Sequence, residues 1–170
     1  MRKLLTLVAM TISMNVMAQS DFDILKDAEN GAVVYKGEFT VDDLHKEASF
    51  SWMDNGINSY KPNEKDVEFL KTHLPAYKMI VALGTWCEDS QNLVPKLYKT
   101  LNESGYPISQ ITMIGVDRAK TAKHNEHEHY NIKFVPTIIL LKDGKEIGRI
   151  VETVQKSIET DLVTLIEKTK

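Results

Sequence analysis

The stretch GTWCEDSQNLVP, residues 84–95, holds the single cysteine of a 170-residue chain. A lone thiol can attack a disulfide and form a mixed disulfide, but a second thiol, from the substrate or from a small molecule, must then release it. Cys87 follows a short apolar run and precedes a helical pattern. That junction would set it in the first turn of a helix, where unpaired N–H groups and the macrodipole favour an anion. Thiolate, the nucleophilic form of sulfur, is favoured in such a position. Ser90, one turn on, would face the same side and could donate a hydrogen bond to the thiolate. Glu88 and Asp89 act in the opposite sense, since neighbouring carboxylates disfavour another negative charge. Residue types alone leave the balance of these effects open.

A second group with possible chemistry is His124, His127 and His129. His-x-His can chelate from a strand, but two residues apart on a helix point in different directions, so a solvated helix face is the favoured reading. No metal site and no cofactor are expected.

These residues need elements to hold them. GAVVYKGEF has strand character around Val33 and Tyr35, and Thr40-Val41-Asp42-Asp43 resembles a helix start with an acid reaching back to its cap. SFSWMDNGINSYKPNE, aromatic and rich in turn residues, is expected to form surface loops pinned by Trp52 and Tyr60. Val67, Leu70 and Leu74 mark one face of a helix from Glu64 that stops before Pro75, and KMIVALG is a buried strand. Leu93, Leu97 and Leu101, widened by Val94 and Tyr98, give the helix behind Cys87 its apolar stripe, with Gly105 just past its end. ITMIGVD and VPTIILL are further strands, and AKTAKHNEHEHY between them is a helix. Lys142-Asp143-Gly144-Lys145 turns a hairpin into EIGRIVE, and Ser157 caps a helix carrying Ile158, Leu162, Leu165 and Ile166. From residue 33 the order is β-α-β-α-β-α-β-β-α, an α/β fold with a mixed central sheet and helices on both faces.

Composition narrows the function classes. MRKLLTLVAMTISMNVMAQS combines Arg2, Lys3, an apolar run and Val16-Met17-Ala18, the pattern of a cleavable signal peptide over residues 1–18, with Gln19 expected as the first mature residue. The protein is therefore expected to be periplasmic or secreted. No later segment is long and apolar enough for a membrane anchor. Residues 1–18 hold two of the 21 basic side chains and none of the 24 acidic ones, so their removal leaves a formal charge of −5, a poor match to nucleic acid. With one cysteine, no internal disulfide can stabilise the fold, and the core must.

Motif and topology together resemble the thioredoxin superfamily over about residues 64–169. Trp86-Cys87 is similar to the family's aromatic residue and attacking cysteine. Pro95, eight residues on, is similar to the proline that kinks the active-site helix. Val135-Pro136-Thr137 resembles the loop whose cis-proline faces the sulfur and helps pair substrate backbone, and TIILLKDGKEIGR resembles the closing hairpin. GTWCEDS and the preceding YKPNE also resemble exported thioredoxin-like proteins of Bacteroidetes-type bacteria. Two positions depart from the family: Ser90 replaces the resolving cysteine, and Val81 stands where a buried acid commonly manages protons. A peroxidase pattern is absent, because Thr85 is only two residues before Cys87.

The resemblance implies a thioredoxin-like domain over 64–170, with residues 19–63 an N-terminal extension packed on it. Cys87 and Ser90 would be catalytic, and Trp86, Val135, Pro136 and Thr137 would bind substrate. The implied function is a monothiol thiol–disulfide oxidoreductase acting, as a monomer, on disulfide- or thiol-containing proteins or small thiols. A redox-inactive module that binds protein or peptide through the same groove is the alternative.

Overall fold

The computed structural model describes residues 21–168; the expected signal peptide and its cleavage point lie outside the described residues. Six strands form one sheet: β1 (Asp21–Lys26), β2 (Val33–Phe39), β3 (Lys78–Leu83), β4 (Ile111–Gly115), β5 (Thr137–Lys142) and β6 (Lys145–Val151), in the order β1-β2-β4-β3-β5-β6. Only β3 and β4 run parallel. β3 lies between β4 and β5 and is buried on both faces, which is why its sequence is a continuous apolar run.

The helices are α1 (Val41–Lys46), α2 (Ser51–Ser59), α3 (Glu64–His73), α4 (Glu88–Glu103), α5 (Glu126–His129) and α6 (Ile158–Glu167). Their starts are written locally. Thr40 and Asp43 close a reciprocal capping box on α1, Asn63 accepts from the Lys65 and Asp66 N–H groups ahead of α3, and Ser157 accepts from Thr160 N–H on α6.

The helices cover the two faces unequally. α1, α2, α3, α4 and α6 send Leu44, Met53, Leu70, Leu97, Leu101 and Leu162 into one large core, against Met79, Val81 and Leu83 of β3 and Ile138 and Leu140 of β5. Ile80, Ala82, Ile114 and Ile139 point to the other face, which is closed by Ala122, Ile132 and Val135 from the connection between β4 and β5. That connection contains α5. No helix among the described residues is long and apolar enough to cross a membrane.

Two expectations need correction, and one element was not expected. Residues 51–59 form helix α2 rather than surface loops. Asn55, Gly56, Asn58 and Ser59 are weak helix formers, but Met53 is buried, and Gly56 is what lets α2 sit on α4: a Cβ at Gly56 would lie 2.5 Å from the Pro95 Cβ. Packing overrides propensity here. The expected helix over 119–130 shrinks to the single turn 126–129, because Lys120 and Asn125 both take left-handed backbone (φ 62° each). Lastly, β1 was not anticipated at all. It turns residues 21–39 into an antiparallel hairpin, so the N-terminal extension supplies two strands of the common sheet as well as α1 and α2.

Candidate active site

β3 ends at Leu83, and the Cys87 N–H bonds back to the Gly84 carbonyl (2.9 Å), closing a four-residue turn that delivers the chain into α4. Cys87 is the N-cap of α4, with extended backbone (φ −93°, ψ 122°), one position before the first-turn placement expected from sequence. Its carbonyl accepts the first helical bond, from Gln91 N–H at 3.0 Å, while its side chain caps nothing. The partly exposed sulfur donates to the Val135 carbonyl at 3.5 Å and lies at the helix end where unpaired N–H groups favour an anion.

Ser90 is fully buried, and its Oγ accepts from the Gly84 N–H at 3.2 Å. The bond that the Ser90 hydroxyl makes is thus to the turn rather than to the sulfur: its oxygen accepts from Gly84 N–H and ties the start of α4 to the end of β3. Beneath it Val81 is buried in the helix-covered core. The Gln91 side-chain amide donates to the Thr85 carbonyl at 2.8 Å and fixes the turn from its other side.

Trp86 donates its indole N–H to the Val116 carbonyl at 2.9 Å. Gly84 makes room for the ring, since a Cβ there would approach the indole to 2.7 Å. Arg118 and Lys120 lie over the ring at 4.8 and 5.1 Å from its centroid. Arg118 is itself held in a two-point pair by the buried Asp27, at the turn of the β1–β2 hairpin (2.7 and 3.1 Å), and meets Glu29 at 2.9 Å. The Arg118 bond and the Asn30 and Glu29 N–H groups outweigh burial and hold the Asp27 carboxyl below its usual range. Close by, burial opposes ionisation of Asp117, but its bonds to Lys36 (2.6 Å) and Thr121 prevail and lower its pKa to about 2.

The third wall is the start of β5. The Val135–Pro136 peptide bond is cis, Thr137 Oγ1 donates to the Phe134 carbonyl at 2.7 Å, and Thr137 pairs with Ala82 of β3. Phe134, immediately before, is 51% exposed. Trp86, Cys87, Val135, Pro136 and Thr137 thus meet at one end of β3 and β5, with Ser90 beneath them. The histidines go elsewhere. His124 pairs with Asp21 at 2.7 Å, His127 Nδ1 accepts from Ala122 N–H, and His129 stands edge-on to Tyr130. Among the described residues no three His, Cys, Asp or Glu side chains are grouped to hold a metal.

Asp27, Thr85, Gln91 and Arg118 escaped the sequence reading. Asn30-Gly31 between two alternating segments was a signal for the hairpin carrying Asp27. Nothing in the sequence pairs Arg118 with Asp27.

Among curated proteins the chain has no match. In solved structures it is similar to a protein of unknown function from Pseudomonas aeruginosa over 79% of this chain and 94% of that one (TM-score 0.58, 16% identity). It is also similar to an HIV epitope scaffold over 78% and 83% (TM-score 0.51, 16% identity). Thioredoxin of Fasciola hepatica aligns over 62% and 90% (TM-score 0.39, 21% identity). Likeness at such identities speaks to the fold alone. The thioredoxin family pattern matches residues 59–168, the stretch containing β3 to α6 and every wall of the site. The chain belongs to the thioredoxin family, a family of thiol–disulfide oxidoreductases.

Proposed function

We propose that this protein is an exported thiol–disulfide oxidoreductase that works on protein disulfides with one sulfur, a reading to which its resemblance to exported thioredoxin-like proteins of Bacteroidetes-type bacteria adds. One observation carries the reading: a partly exposed thiol at the N-cap of α4, beside the Val135 carbonyl, with a buried serine where a resolving thiol would stand. The Cys87 thiolate attacks one sulfur of a substrate disulfide. A bond forms between Cys87 and that sulfur, the substrate S–S bond breaks, and the other substrate sulfur leaves as thiolate. Any thiolate then attacks the mixed disulfide and frees Cys87 with its electron pair. If that thiolate is a different cysteine of the same substrate, the net change is isomerisation; if it comes from a small thiol, one substrate sulfur is left as free thiolate and the other ends in a disulfide with the small thiol, which is oxidised.

The second reading, a binding module without redox turnover, draws support from Val81, an apolar residue where an acid that manages protons would stand. A chromophoric peptide disulfide separates the two. The oxidoreductase forms an adduct on Cys87, absent in Cys87→Ser, that persists until thiol is added. Ser90→Cys shortens its lifetime without added thiol, because the new side chain can expel the peptide. A folded wild-type protein that forms no adduct is a binding module. Export is tested separately by the N-terminus of protein recovered outside the cytoplasm, expected at Gln19.

A further inference from the structure

The residue two before the cysteine is clasped by a strand from the other end of the chain. β2 pairs with β4 only over Gly37–Phe39; nearer its start, the Thr85 side chain stands in for a strand partner. Thr85 is buried, and its Oγ1 accepts from the Tyr35 N–H (3.2 Å) and donates to the Val33 carbonyl (2.9 Å). Its own carbonyl takes the Gln91 side chain at 2.8 Å, and the turn that contains it ends in the Cys87 N–H bond to Gly84. Both lone-pair and proton functions of this one hydroxyl are thus spent on β2, a strand outside the stretch that matches the thioredoxin family. The next residue, Trp86, is tied to the same hairpin through Arg118 and Asp27.

We propose that Thr85 is a positioning residue: by gripping β2 it fixes the Gly84–Cys87 turn, so that the β1–β2 hairpin sets where the Cys87 sulfur stands relative to the Val135 carbonyl and the Val135–Thr137 wall. The inference deepens the oxidoreductase reading and rests on it for its functional meaning. Attack on a peptide disulfide needs sulfur and wall in register, whereas attack on a small reagent needs only an accessible sulfur, so the two respond differently to a displaced turn.

Thr85→Val keeps the shape and removes both bonds; Thr85→Ser keeps the hydroxyl. Tyr106→Phe, which removes a hydroxyl bond to the Tyr77 carbonyl far from the site, controls for general destabilisation. All three are checked for folding by thermal melt. In Thr85→Val, mixed-disulfide formation with the peptide disulfide should fall by about tenfold and the iodoacetamide rate at Cys87 should change by about threefold. Thr85→Ser and Tyr106→Phe should stay within about twofold of wild type in both assays. A folded Thr85→Val that matches wild type, or a Tyr106→Phe that loses as much, overturns the inference. If wild type forms no mixed disulfide, the oxidoreductase reading fails instead. The iodoacetamide rate then decides the positioning role: a change in Thr85→Val that Thr85→Ser reverses upholds it, and no change overturns it.

Discussion

On the helix-covered face of the sheet, Leu70, Met79, Leu101 and Leu140 are completely buried among one another, whereas the face carrying Trp86 and Cys87 has a small apolar cluster bordered by polar bonds. Asp27 with Arg118, Lys36 with Asp117 and Thr121, and Ala122 N–H with His127 all belong to that second face or its rim. Apolar burial is non-directional and scales with area, so it secures a fold without specifying fine geometry. Paired charges and hydrogen bonds add little net stability near a surface, but they are directional. The contrast assigns stability to the first face and the precision of the thiol site to the second.

The largest effect that tests this division is Leu101→Ala, which should cost about 3 kcal/mol through lost burial and a cavity under α4. It should nevertheless leave the iodoacetamide rate at Cys87 within about twofold of wild type at 25 °C, since the site's polar bonds are untouched. Urea melts and alkylation kinetics on the same preparation check both; a matching loss in reactivity would join the two faces functionally.

A smaller effect belongs to the second face. Because Asp117 is lowered from 3.8 to about 2, its ion pair contributes stability above the ordinary carboxyl value, and the contribution is lost as pH falls through about 2. Allowing for solvent screening, the amount is about 1–2 kcal/mol at neutral pH. Asp117→Asn should therefore be less stable than wild type at pH 6 by that amount, with the difference closing as pH approaches 2. A gap independent of pH would mean that the asparagine acts by packing.

The smallest effect returns to the helix side, where Thr100 is fully buried and its hydroxyl has no hydrogen-bond partner among the described residues. Thr100→Val should stabilise by about 1 kcal/mol, because it removes an unpaired polar group at constant shape. A thermal melt reads the sign, and a lower midpoint would show that this face also depends on a polar bond.

Much of the helix-covered face was legible, because periodic apolar residues such as Leu93, Leu97 and Leu101 state both element and direction. So were Cys87, Trp86 and the Val135–Thr137 wall, which are carried by contiguous motifs. α2 was not, since Gly56 and its polar neighbours spell a turn until Pro95 is placed beside them. The Ser90 bond to the turn was missed for a related reason: spacing placed Ser90 on the right side of the helix, but which groups its hydroxyl reaches depends on distances set by the turn. The Asp27–Arg118 and Thr85–β2 contacts join residues remote in the chain, and such pairings leave no local trace.

That remoteness has a consequence for the order of events in folding. Gly37 finds its sheet partner in Gly115, and Tyr35 finds Thr85, so the hairpin made first during synthesis must wait for β4 to emerge before it can dock. Closing so long a loop is entropically unfavourable until the intervening elements have condensed. The surroundings of Cys87 are therefore assembled from both directions along the chain, from β2 through Thr85 and from the start of β5 through the Val135 carbonyl, and they are complete only when both strands are in place.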